Sequence, residues 1–187
     1  MTAKRASASP RRSSSPSKTS SPPAARADGK RRRRQPPSTA LLIVDVQHAF
    51  PIPARLVEKI RHYSESFSRR VFTRFVNPKG SFFRTQLKMT CCPPGSKETE
   101  LRLVPARGDL ILDKATYGLR PGQIEQLRRA GIRRVILCGV ETDACVLGIM
   151  FSLFDAGIKA EIQSDLCWSS TGLHRHALKI IATQFKP

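Results

Sequence analysis

The chain has 187 residues and a net charge of +19, of which +10 lies in the first 38 residues and +9 in the rest. No apolar run reaches the ~20 residues of a membrane span, and no apolar stretch follows the basic start as a secretory signal requires, so membrane insertion and export are not expected. Five cysteines with no CxxC spacing also argue against a disulfide framework or a structural zinc site, and the expectation is a soluble, cytoplasmic protein.

Residues 1–38 carry eleven Lys or Arg against Asp28 alone and otherwise consist mainly of Ser, Pro and Ala. That composition buries too little apolar area to offset the entropy of ordering, so this segment reads as a disordered basic tail and residues 39–187 as one domain. Lys30 and Arg31–Arg34 form a run able to pair weakly with an anionic partner: nucleic acid, an acidic membrane surface or an import receptor. A solvated extension with no dedicated partner and an organellar transit peptide are the other readings.

From residue 40 apolar runs alternate with helical periodicity. The stretch "ALLIVDV" (40–46) reads as a strand buried on both faces. Ile52, Leu56, Val57, Ile60, Tyr63 and Phe67 then recur at helical spacing behind Pro51 and Pro53. "RVFTRFV" (70–76) is a second strand. Residues 77–108 are punctuated by Pro and Gly, with a short helix expected at "SFFRTQL"; a connection this long usually shapes a site.

"DLILDK" (109–114) is a third strand, and Pro121 opens a short helix that Gly131 closes. "RRVILCGV" (133–140) is the fourth strand and "KAEIQSD" (159–165) the fifth. Between them runs an apolar helix with Thr142 or Asp143 expected as its cap, and Leu173, Ala177, Ile180 and Ile181 mark a last helix. Regular alternation with short connections predicts an α/β three-layer sandwich with a mainly parallel, five- to six-stranded, Rossmann-like sheet. Ligands of such sheets collect beyond the carboxyl ends of the strands. Asp45, Lys114 and Cys145 all fall at such ends, and so on one rim.

"LLIVDVQHAF", "LDKATYG" and "GVETDACV", in this order, resemble the isochorismatase-like cysteine hydrolases, the superfamily that includes nicotinamidases. The resemblance covers about residues 40–185. It implies a triad of Asp45 as general acid/base, Lys114 as electrostatic partner and Cys145 as nucleophile. It also implies a cis peptide at Val140–Glu141 that turns the backbone N–H groups of Glu141 and Cys145 toward an oxyanion, and a pocket built from Phe50, Asn77, Phe82 and Tyr117. The implied activity is cleavage of a C–N bond in a small amide, imide or ureide through a thioester. Homo-oligomers are implied as well. Vinyl-ether hydrolysis and a non-catalytic scaffold on the same fold are the alternatives.

Cysteine attacks as its thiolate, whose ordinary pKa of ~8.5 is lowered by a helix N-terminus and a nearby cation, and Cys145 is expected to have both. An adjacent Asp45 opposes them, so the three groups should titrate as a unit. A lone cysteine in apolar sequence is usually a packing residue, and Cys91, Cys92, Cys138 and Cys167 are read so. Nicotinamidases carry a metal site of one acid and several histidines, yet "VFTRFVNPKGSFF" has no histidine and His48 has no partner in the sequence, so no metal and no cofactor are expected. His62 and His176 carry no motif, and His174 reads as structural. Glu141, Gly118 and Arg120 depart from the family pattern and are expected to alter the pocket wall.

Overall fold

Thr39–Val44 (β1) buries all six of its side chains. A strand this apolar needs neighbours on both edges and cover on both faces. The computed structural model describes residues 38–185, which fall within one unit running from Arg32 to Pro187. Apart from Ser38, the basic tail lies outside the described residues.

The further strands are Arg70–Phe75 (β2), Leu110–Lys114 (β3), Arg134–Gly139 (β4) and Lys159–Cys167 (β5). They form one five-stranded sheet in the order β3-β2-β1-β4-β5, with every pair parallel. The helices are Ala54–Ser64 (α1), Phe82–Thr85 (α2), Pro121–Arg129 (α3), Leu147–Asp155 (α4) and His174–Gln184 (α5). From β1 the chain winds outward to β3 and then crosses back to β4. Right-handed crossovers therefore put α1 on one face and α3 and α4 on the other, and the direction changes between β1 and β4. That switch point is where an open parallel sheet leaves a crevice.

Gly139 allows β4 to lie against β1 there. Its φ is +118°, and a Cβ at this position would sit 2.2 Å from the Val44 carbonyl oxygen. The final helix differs from the expectation. Ala177 and Ile181 are buried, whereas Leu173 and Ile180 are exposed; α5 contacts α4 and the turn before it.

The 77–108 segment holds little regular structure beyond α2, yet it is well tied. Asn77 Nδ2 donates to the carbonyls of Met89 and Cys91 at 2.9 and 3.0 Å, its backbone N–H to that of Cys92 at 2.8 Å, and Arg84 Nε reaches the Asn77 carbonyl at 2.9 Å. Phe75, Phe83 and Cys92 form a small second core beneath it.

Candidate active site

Asp45 is the first residue beyond β1, not its last, and has a φ of +48°, a conformation few side chains other than Asp and Asn adopt. Thr73 of β2 holds it there. The Thr73 hydroxyl accepts from the Asp45 N–H at 3.1 Å and donates to Oδ1 at 2.7 Å. Oδ2 lies 2.6 Å from Lys114 Nζ, a charge-assisted contact between two buried groups. A carboxylate oxygen has a second lone pair, which stays available for a proton.

Two residues on, Gln47 extends the sheet with its side chain. Its Oε1 accepts from Phe75 N–H at 2.7 Å, and its Nε2 donates to the Phe75 and Thr99 carbonyls at 3.0 Å each. The amide thus imitates a peptide group at the end of β2. Replacing Gln47 with Ala leaves these fully buried backbone groups unpaired, and each costs ~1–3 kcal/mol. The Gln47→Ala variant is expected to lose about 3 kcal/mol or more in urea unfolding; a loss under 1 kcal/mol would show that the lock is not structural.

Lys114 ends β3, two strands away from β1, a gap of roughly 10 Å that only a long side chain spans. Its ammonium passes 5.3 Å from the centre of the intervening Phe75 ring. It arrives among three acceptors: Asp45 Oδ2, Cys145 Sγ at 3.1 Å and the Thr116 carbonyl at 3.1 Å. Burial alone would discharge this lysine, but Asp45 and then Cys145 outweigh it and hold its pKa above the ordinary value.

Cys145 belongs to a π turn, Thr142–Val146, that precedes α4, not to the first turn of a regular helix. The Val146 and Ala144 N–H groups both donate to the Glu141 carbonyl at 3.1 Å. Such wide turns recur at functional sites because the extra residue re-aims a side chain. Neither Thr142 nor Asp143 caps it. Thr142 Oγ1 bonds His174 Nδ1 at 2.9 Å, and Asp143 accepts from the hydroxyls of Ser169 and Thr171, so the β5–α5 connection clasps the turn. These hydroxyls outweigh burial and lower the Asp143 pKa. The Val140–Glu141 peptide is cis, as the resemblance implies.

Asp45 opposes Lys114 at the thiol, as expected, and burial adds to it: burial first, and the Asp45 carboxylate second, outweigh Lys114 and push Cys145 up to about 12, with the residue only 8% exposed. Cys145 therefore rests as a thiol beside an ion pair.

The pocket residues read from sequence divide. Phe50 packs against both cores. Tyr117 stacks edge-on with Phe83, which stacks on Phe75, so this aromatic row leads outward from Lys114. Asn77 is buried and its amide is spent on the loop, while Phe82 is 74% exposed and its neighbour Phe83 fills the core instead. The Glu141 side chain turns to the β5–α5 connection, where Oε2 accepts the Ser170 N–H at 2.5 Å. Gly118 is a close-packing position, since a Cβ there would meet Ser152 Oγ at 2.2 Å and the Gly148 carbonyl at 2.8 Å. Arg120 is exposed and is the residue just before α3. Thr73, Gln47 and Phe75 carry no sequence signal beyond the D-x-Q pattern for Gln47. Among the described residues no group of three or more His, Cys, Asp or Glu is placed to hold a metal ion, and His48 is exposed.

Residues 39–187 match the family model described as the isochorismatase domain. Isochorismatase domain-containing protein 2 of Bos taurus is 34% identical over 71 residues, 37% of this chain and 35% of that protein; the match thus spans about a third of the length of this curated relative. The pyrazinamidase of Pyrococcus horikoshii in complex with zinc superposes with a TM-score of 0.70 at 21% identity, covering 80% of this chain and 97% of that one. A nicotinamidase from Bacillus subtilis does so at 0.68 and 22%, covering 79% and 96%. At these identities the likeness is one of fold.

Proposed function

Since the chain belongs to the isochorismatase family of hydrolases, we propose that it cleaves the C–N bond of a small amide, imide or ureide with Cys145 as nucleophile. The observation that carries this reading is the placement of one ammonium, Lys114 Nζ, 2.6 Å from Asp45 Oδ2 and 3.1 Å from Cys145 Sγ.

Because Cys145 rests as a thiol, attack and deprotonation are concerted. Asp45 takes the proton as Sγ adds to the carbonyl carbon, and the backbone N–H groups of Glu141 and Cys145 receive the oxyanion. When the tetrahedral adduct collapses, the C–N bond breaks and Asp45 returns the proton to the leaving nitrogen. Asp45 then removes a proton from water as it attacks the thioester. Collapse of that second adduct releases the acid, and the proton returns to sulfur. Lys114 remains charged throughout and balances whichever of Asp45 and Cys145 is anionic. The zinc seen with the Pyrococcus pyrazinamidase has no matching donor set among the residues described here, and the mechanism routes no step through a metal.

The test is an ammonia-release screen over small primary amides, imides and ureides, with the Cys145→Ala variant as control. Release by both proteins, or by neither, rejects the proposal. Vinyl-ether cleavage independent of Cys145, or ligand binding without turnover, would support the alternatives.

A thiol held at about 12 also shapes the pH dependence. An enzyme relying on a preformed thiolate gains rate as pH rises through ~8.5, the ordinary thiol value. Here kcat/KM is expected to show no inflection between pH 7.5 and 9.5. A tenfold rise across that window would mean that the thiolate is the resting nucleophile.

A further inference from the structure

At the opposite end of the sheet from Cys145, a cavity of about 620 Å³ opens among the first residues of β1, β4 and β5 and the end of α3. Arg128, Arg133, Arg134 and Lys159 line it, and no carboxylate does. Of the cations on this face, Arg129 is paired with Glu125 and Arg134 with Glu161. Arg128 Nη2 donates to the neutral Ala156 carbonyl at 2.7 Å, and Arg69 to that of Ala130, so both keep their charge. Asp155 ends α4, next to the lining residue Ala156, and Glu161 reaches the face through Arg134. Arginines in the last turn of α3 complement the helix dipole. That role does not extend to Arg133 and Lys159 beside the strand starts, nor to the buried Arg134 Nε, which has no acceptor.

We propose that this end of the sheet binds the phosphate backbone of a nucleic acid, with Arg128, Arg133 and Lys159 as the phosphate contacts. Ser38 lines the cavity, and its carbonyl accepts the N–H groups of Arg133 and Arg134 at 2.9 and 3.2 Å, which fixes the start of β1 against the two arginines. A phosphate strand can enter a concave cavity, whereas a flat lipid surface would meet only its rim. The contacts are to phosphate and carry no base preference. The site is remote from Cys145, so its failure would leave the hydrolase reading untouched.

The test measures fluorescence anisotropy of a labelled mixed-sequence single-stranded oligonucleotide with the full chain, over a series of salt concentrations. The Arg128→Gln/Arg133→Gln/Lys159→Gln variant is expected to bind at least about tenfold more weakly and to reduce the salt slope by roughly 2, near 0.7 per lost phosphate contact. The Arg133→Gln/Lys159→Gln variant, which spares the Arg128–Ala156 bond, should lose somewhat less, with its melting midpoint unchanged. Unchanged affinity and slope in both face variants would overturn the proposal, since the tail alone would then bind. Binding to phosphatidylserine vesicles without oligonucleotide binding would overturn it in favour of a membrane surface.

Discussion

Cys145→Ala is expected to lower kcat by on the order of 10⁴-fold or more, as removal of a covalent nucleophile does elsewhere. That corresponds to about 5.5 kcal/mol of transition-state stabilisation at 1.36 kcal/mol per tenfold. The cost in stability should be far smaller. The substitution removes one buried atom, and at ~24 cal/mol per Å³ of cavity the loss is roughly 1 kcal/mol or less. Lys114 keeps Asp45 and the Thr116 carbonyl as partners, so no charge is stranded. The contrast between the two effects is diagnostic, because a thiol that merely filled the core would affect stability and leave the rate alone. Measured on any substrate found by ammonia release, a residual rate above a few per cent of the parent would reject Cys145 as nucleophile.

Asp45→Asn should do the reverse and damage stability as well as activity. The Asp45 and Lys114 side chains are 1% and 0% exposed, and removing one partner of a buried ion pair typically costs 3–5 kcal/mol because the other charge is left uncompensated. Thr73 can still bond to the asparagine, so the backbone should stay in place. The pH dependence changes sign. In the parent protein Asp45 raises the Lys114 pKa, so the stability from this lysine is present below its ordinary value and is lost as pH rises through the folded one.

In the variant the Asp45 contribution is gone and burial, the largest influence on Lys114, drives its pKa below the ordinary range. Stability should then improve as pH rises from 7 toward 10, a window over which the Lys114 contribution in the parent stays constant. Asp45→Asn/Lys114→Met removes both charges and should recover much of the loss without recovering turnover. Melting midpoints over that pH range decide the matter. A single variant within 1 kcal/mol of the parent, with the same pH trend, would mean that water reaches the pair.

Several features of the site were legible because they depend only on order along the chain. The D-x-Q, Lys and Cys motifs each follow an apolar run, and in a parallel sheet every such run ends on the same rim. The clasp around Cys145 was not legible. Asp143 and Thr142 look like helix caps in "ETDACV", since short polar side chains before an apolar helix usually are. Asp143 instead reaches the β5–α5 connection and Thr142 the first residue of α5, about 30 residues away in sequence. Phe82 and Phe83 are adjacent and equally apolar; which one is buried is set by Phe75 on a neighbouring strand.

From periodicity and punctuation, the sequence by itself determined five strands, their alternation with helices, and the end of the sheet at which Asp45, Lys114 and Cys145 gather. Those are local properties, carried by the spacing of side chains on one element. Only the tertiary structure decided that β2 lies between β1 and β3, which sets Phe75 under the Lys114 chain and Thr73 beside Asp45. It also decided that Cys145 rests protonated. A pKa is a sum over solvent exclusion and neighbouring charges, and the charged neighbours of Cys145, Lys114 and Asp45, lie 31 and 100 residues away in the chain.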